Sequence, residues 1–158
     1  MDFSMIVEIV GDLFKTFEGK QALLQCISSD SKMTKGISLE FLKHFPTLKT
    51  LRQQKNVLGT AVPVLIEGIW VYNLITKVNF YDKPKVETLA RCLEGVKEHA
   101  TKVGVEILDT PKLGCGLDRL SYHRDLLPLL ERIFRGSGFT INIYLQVKRD
   151  LFRYVSVI

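Results

Sequence analysis

A chain of 158 residues, 46% apolar and 25% charged, has room for one domain and carries a globular balance. Gly and Pro, 11 and 5 residues, are too few for a collagenous or low-complexity chain. No stretch reaches the roughly 18 apolar residues of a membrane span, and a net charge of +5 favours anionic partners without proving one.

That charge is uneven: residues 31–55 carry +5 and residues 111–158 carry +4, against −3 for residues 1–30 and −1 for residues 56–110. The two basic stretches are either one anion-facing side or solvated helix faces. Cys26, Cys92 and Cys115 form no CxxC pair, and their odd number fits reduced thiols in the nucleus or cytoplasm.

In chain order, Met5–Val10 reads as a strand closed by Gly11-Asp12. Ala22–Ile27 is an apolar run broken only by Gln25, the pattern of a strand buried on both faces. Gly36–Phe45 predicts a helix that stops before Pro46. Ala61–Ile66 and Trp70–Thr76 predict a hairpin across Glu67-Gly68-Ile69, with Pro63 placing the first strand near an edge. Val86, Leu89, Ala90, Leu93, Val96, Ala100 and Val103 form one stripe at helical spacing, with Pro84 as its first residue and Gly104 just past its end. Val105–Thr110, a helix over Leu126–Phe134 capped by Asp125, and a strand over Thr140–Val147 follow. Interleaved strands and helices of this kind call for a layered α/β fold around a mixed sheet. We take residues 1–147 as one domain and 148–158 as an extension, either an added strand or a docking tail.

Pro111-Lys112-Leu113-Gly114-Cys115-Gly116-Leu117-Asp118 lies between a strand and a helix, where open α/β folds place ligands. Its glycines suit either a tight turn or a nest of N–H groups for phosphate, and Lys112 tips the balance towards an anion. If Pro84 is the first helical residue, Lys83 occupies the N-cap, where a cation is disfavoured. It is then a surface-turn residue or an amine of depressed pKa, usable as a nucleophile. Asp118 at the loop's end is a turn aspartate or a general acid/base. Cys115 lacks a placed histidine, and His44, His99 and His123 show no metal-ligand spacing, so cysteine and zinc chemistry are set aside.

Gly11-Asp12-Leu13-Phe14, Cys26-Ile27-Ser28, Met33-Thr34-Lys35-Gly36-Ile37, Leu74-Ile75-Thr76-Lys77, Lys83-Pro84 and Gly114-Cys115-Gly116-Leu117-Asp118 together resemble a macrodomain of the terminal ADP-ribose protein glycohydrolase type, from about Ile6 to Tyr144. The resemblance implies a three-layer α/β/α fold on a mixed, mostly six-stranded sheet, with ADP-ribose bound at strand ends. It implies release of mono-ADP-ribose from acidic side chains, with Lys83 as the attacking amine and Asp118 as acid/base, and no metal or cofactor. It places Asp12 and Leu13 at the adenine. Lys112, Leu113, Gly114, Cys115, Gly116 and Leu117 fall around the diphosphate. Ser28, Met33, Thr34, Lys35, Gly36 and Ile37 face the distal ribose, and Gln146 completes the binding set. O-acyl-ADP-ribose, ADP-ribosylated nucleic acid and poly(ADP-ribose) are further substrates or partners it allows, acting on a monomer with no membrane. The family has Gly-x-Gly where this chain has Thr34-Lys35-Gly36, a change that favours a non-catalytic ADP-ribose reader. A salt-sensitive nucleic-acid-binding domain is a third reading, from the basic stretches alone.

Overall fold

The computed structural model describes residues 3–15, 20–116, 118–145 and 153–158. Seven strands form one sheet: β1 (Met5–Val10), β2 (Gln21–Ser28), β3 (Ala61–Ile66), β4 (Ile69–Lys77), β5 (Ile107–Thr110), β6 (Thr140–Leu145) and β7 (Arg153–Val157), in the order β3-β4-β2-β5-β6-β1-β7. The inner five run parallel, and the edge strands β3 and β7 run antiparallel to their neighbours. The sheet therefore has seven strands rather than the expected six. Residues 153–157 lie along β1, with Met5 opposite Val157 and a closing bond from the Ile158 N–H to the Ser4 carbonyl at 3.0 Å.

Helices cover both faces, as the expected three layers require. α2 (Val86–Val103) and α3 (Leu127–Phe134) bury Leu89, Leu93, Val96, Leu130 and Phe134 against Leu24, Leu74 and Ile141 of the sheet. α1 (Gly36–His44) and a 3-10 helix (Pro46–Gln53) bury Phe41, Leu48 and Leu51 against Leu23, Ile27, Val71 and Ile75. The alternation along β2 and β4 sends successive apolar side chains to opposite cores, which is why both strands read as continuous apolar runs.

Local chemistry explains most boundaries. The hairpin turn holds Glu67 and Gly68 at φ 49° and 83°, the left-handed pair that matches strand twist. Pro63, with no N–H to offer, sits on the edge strand β3. Gly104 ends α2 at φ 80°. The start of α2 differs from expectation: the N-cap is Lys85, and Pro84 and Lys83 belong to the preceding loop. Val103 is 40% exposed, and Thr88 and Cys92 complete the buried stripe instead. Asp125 does not cap α3. A π-helical turn (Tyr122–Leu126) precedes that helix, the Ser121 hydroxyl accepts from the Arg124 N–H, and the Asp125 carboxylate accepts from the Ser121 N–H at 2.7 Å. No described helix is long and apolar enough to cross a membrane.

Candidate active site

Five parallel strands end on the same side of the sheet, at Val10, Ser28, Lys77, Thr110 and Leu145. The segments leaving the first, second and fourth of these ends carry the predicted binding residues from Asp12 to Ile37 and from Lys112 to Gly116. This is the crevice at which open parallel sheets take ligands. Leu117 and Gln146 lie outside the described residues.

The partner of Asp118 is Lys77. Its ammonium donates to Asp118 Oδ1 at 2.5 Å, and the two side chains are only 13% and 15% exposed. Lys77 ends β4, Asp118 follows β5, and β2 lies between those strands, so the pair closes over the end of β2. A register shift aims the lysine there: Ile27 pairs with Ile75, but Ser28 pairs with Lys77, leaving Thr76 as the extra residue of a bulge. The expected Lys83–Asp118 pairing is thereby corrected. Lys83 is an exposed loop residue six positions further on, where the chain has left the sheet.

The glycine loop is a turn built from its own backbone. The Cys115 N–H donates to the Lys112 carbonyl at 3.0 Å, and the Leu120 N–H donates to the Gly114 carbonyl at 2.7 Å. Gly114 has φ 72°, and a Cβ there would stand 2.7 Å from Leu120 Cδ1. Gly116 has open space around it. Lys112 is exposed, with its ammonium 4.5 Å from the centre of the Tyr122 ring. Leu13, Met33 and Leu113 are 5%, 5% and 1% exposed, so they offer the crevice backbone rather than side chain. Ser28 donates its hydroxyl to the Asp30 carboxylate. Thr34 and Lys35 are exposed, and Lys35 is the N-cap of α1 with no side-chain cap bond. Thr34, which stands where the family has glycine, is not left-handed; Ser31, Met33 and Gly36 are, at φ 53°, 51° and 61°.

On the β1 side an open cleft of about 350 Å³ is lined by Gly11, Asp12, Leu13, Phe14, Ile37, Glu40, His44, Pro111 and Tyr144. It unites the Asp12 turn, the start of α1 and the mouth of the glycine loop, as a nucleotide-sized ligand needs. Asp12 Oδ1 accepts the Phe14 N–H at 2.9 Å, and Phe14 stacks on His44 with ring centres 4.1 Å apart. Beneath the crevice the fully buried Asp109 accepts from Gln21 and Asn142, each at 2.9 Å, and burial holds its carboxyl above the usual range. Burial likewise raises the Cys26 thiol, and lifts Cys92 to about 12 and Cys115 to about 11. No thiolate nucleophile is available at neutral pH from these three. Among the described residues no group of His, Cys, Asp and Glu could hold a metal ion.

Read from the sequence, Lys77 has no role of its own, although Leu74-Ile75-Thr76-Lys77 is among the motifs that carry the family resemblance. A lysine ending a run of buried strand residues was the available signal; the bulge that aims it has no sequence signature.

The architecture recurs in solved structures. A macrodomain protein from Streptomyces coelicolor superposes with a TM-score of 0.74 at 19% identity, over 89% of this chain and 98% of that one. The macrodomain of Thermus aquaticus DarG gives 0.72 at 19%, over 90% and 99%. No family model matches the chain. The ADP-ribose glycohydrolases OARD1 of Bos taurus and Homo sapiens are each 36% identical to it over 141 residues, 89% of this chain and 91% of each relative. The chain belongs to the macrodomain family, and its sequence likeness extends to glycohydrolases within it.

Proposed function

We propose that this protein is an ADP-ribosyl hydrolase that releases mono-ADP-ribose from acidic side chains, with Lys77 as the attacking amine and Asp118 as acid/base. The observation that carries the reading is the lysine–carboxylate pair, shielded from water at the mouth of the crevice. The likeness to ADP-ribose glycohydrolase OARD1 supports it, as does the fold shared with Thermosipho africanus DarTG, solved in complex with ADP-ribose.

Asp118 accepts the proton that Lys77 must give up to become a nucleophile. The amine then attacks the anomeric carbon of the distal ribose. The N–C bond forms, the C–O bond to the acyl group breaks, and the acceptor leaves as a carboxylate. Ring opening gives a protonated Schiff base; water hydrolyses it, freeing ADP-ribose and the Lys77 ammonium, and Asp118 gives its proton to solvent. The same steps serve an O-acyl-ADP-ribose whose acyl group is carried on the anomeric oxygen. Diphosphate oxygens would lie against the loop from Lys112 to Gly116, and the nucleobase in the cleft beside Asp12. Free cysteines fit action in the reducing nucleus or cytoplasm.

The test is a glutamate-linked mono-ADP-ribosylated target with release of free ADP-ribose followed over time. Release by the parent and by Lys83→Ala, but not by Lys77→Ala or Asp118→Ala, is the expected result. Tight ADP-ribose binding without release would select the reader instead.

A nucleic-acid acceptor is the second reading, favoured by the rim that follows Lys77. Val78, Phe80 and Tyr81 are 51%, 41% and 73% exposed, and the Lys32 ammonium stands 5.2 Å from the Phe80 ring centre. Exposed aromatics beside a lysine suit stacked bases and phosphates. On that reading Tyr81→Ala slows release from an ADP-ribosylated single strand about tenfold and leaves release from glutamate unchanged.

A further inference from the structure

The loop that leaves β2 holds two L-residues, Ser31 and Met33, in the left-handed region. Each such residue is sterically disfavoured and persists only where its surroundings over-determine it. Beside the Ser31 N–H bond to the Ser28 carbonyl at 2.9 Å and the Gln25 amide on Met33 Sδ at 3.7 Å, those surroundings come from the 3-10 helix and the turn after it. Arg52 donates through Nε to the Ser31 carbonyl at 3.1 Å and through Nη2 to the Lys32 carbonyl at 2.6 Å. The buried Asn56 amide donates to Ser31 Oγ at 2.8 Å, to the Leu51 carbonyl at 2.8 Å and to the Ser29 carbonyl at 3.3 Å. Gln54 Nε2 holds the other end of that amide at 3.2 Å. The near end of the loop is tied to the reactive lysine: the Ser29 N–H donates to the Lys77 carbonyl at 2.9 Å, and the Ser29 hydroxyl to the Val78 carbonyl at 2.7 Å.

We propose that Arg52 and Asn56 are positioning residues. By capturing the carbonyls of Ser29, Ser31 and Lys32, they fix the ribose-facing loop from Met33 to Ile37 and, through Ser29, the place of Lys77. Neither side chain touches the reacting atoms; both act through this loop. The inference rests on the reading of the site as an ADP-ribosyl hydrolase.

The experiment uses the full chain and three variants: Arg52→Ala, Arg52→Lys and Asn56→Asp. ADP-ribose affinity is measured by calorimetry, and kcat and KM on a glutamate-linked mono-ADP-ribosylated target, at a temperature where circular dichroism shows each variant folded. Arg52→Ala is expected to weaken ADP-ribose binding about tenfold, the factor carried by one charge-assisted hydrogen bond, and to lower kcat as well as raise KM. Arg52→Lys reaches one carbonyl but not two and recovers only part of the loss. Added guanidinium ion restores turnover to Arg52→Ala, which a general loss of stability would not allow. Asn56→Asp keeps the shape but loses the amide donors, and falls with Arg52→Ala. A folded Arg52→Ala with affinity and kcat within twofold of the parent overturns the proposal while the site reading stands. A parent that neither binds nor releases ADP-ribose overturns both.

Discussion

Two loops frame the crevice, and they reach their shapes by opposite means. The loop after β5 has two left-handed positions, Gly114 and Arg119, the first of them glycine, and it closes with its own backbone bonds. The loop after β2 puts serine and methionine at two of its three left-handed positions and is held by Arg52 and Asn56 from more than twenty residues away. A loop shaped by glycine carries its conformation in its own composition. A clamped loop borrows its conformation from tertiary contacts, and its shape changes when a distant side chain does. The Lys77–Asp118 pair joins the two, since Asp118 follows the first loop and Lys77 is bonded to the second through Ser29.

The comparison can be broken most sharply at that junction. Lys77→Ala and Asp118→Ala are each expected to lower the rate of ADP-ribose release at least about 10³-fold, with Lys83→Ala within twofold of the parent, all read from initial rates. Next comes the self-shaped loop. Gly114→Ala meets both a positive φ and the Leu120 side chain, and should cost about 2–4 kcal/mol in urea unfolding. Beneath both loops, Asp109 has its carboxyl pKa raised above 3.8 by burial. The folded state therefore holds this proton more tightly than the unfolded state, and stability falls as pH rises from about 3.8 through the folded value. The contribution is at most about 1.4 kcal/mol per pH unit. Melting temperatures of Asp109→Asn across that window should lack this part of the fall. The smallest effect is at Gly116, where no described residue beyond its chain neighbours lies within 4 Å of an added Cβ. Gly116→Ala should change stability by less than about 0.5 kcal/mol, and a large loss there would show that the loop is not shaped as described.

Much of this was legible in the sequence because it is encoded locally. The buried runs of β2 and β4, the stripe of α2, the turn at Glu67-Gly68 and the glycine loop all declare themselves by period or composition. What escaped is encoded by contacts between distant segments. The bulge at Thr76 has no composition of its own, yet it carries Lys77 to Asp118, and a reading that lacked it settled on Lys83. The 3-10 helix from Pro46 to Gln53 has no signal of its own in the sequence, since the proline that begins it reads as the end of the helix before it. The edge strand β7 is not legible, since an apolar tail reads the same whether it pairs with β1 or docks elsewhere.

The amine of Lys77 is the centre of this account, and reductive trapping tests it most directly. The protein is incubated with the glutamate-linked substrate and borohydride, digested, and the modified peptide sequenced by mass spectrometry. A reduced ADP-ribose adduct on Lys77, absent from Lys77→Ala, is the expected result. An adduct on Lys83, or undiminished release by Lys77→Ala, would contradict it.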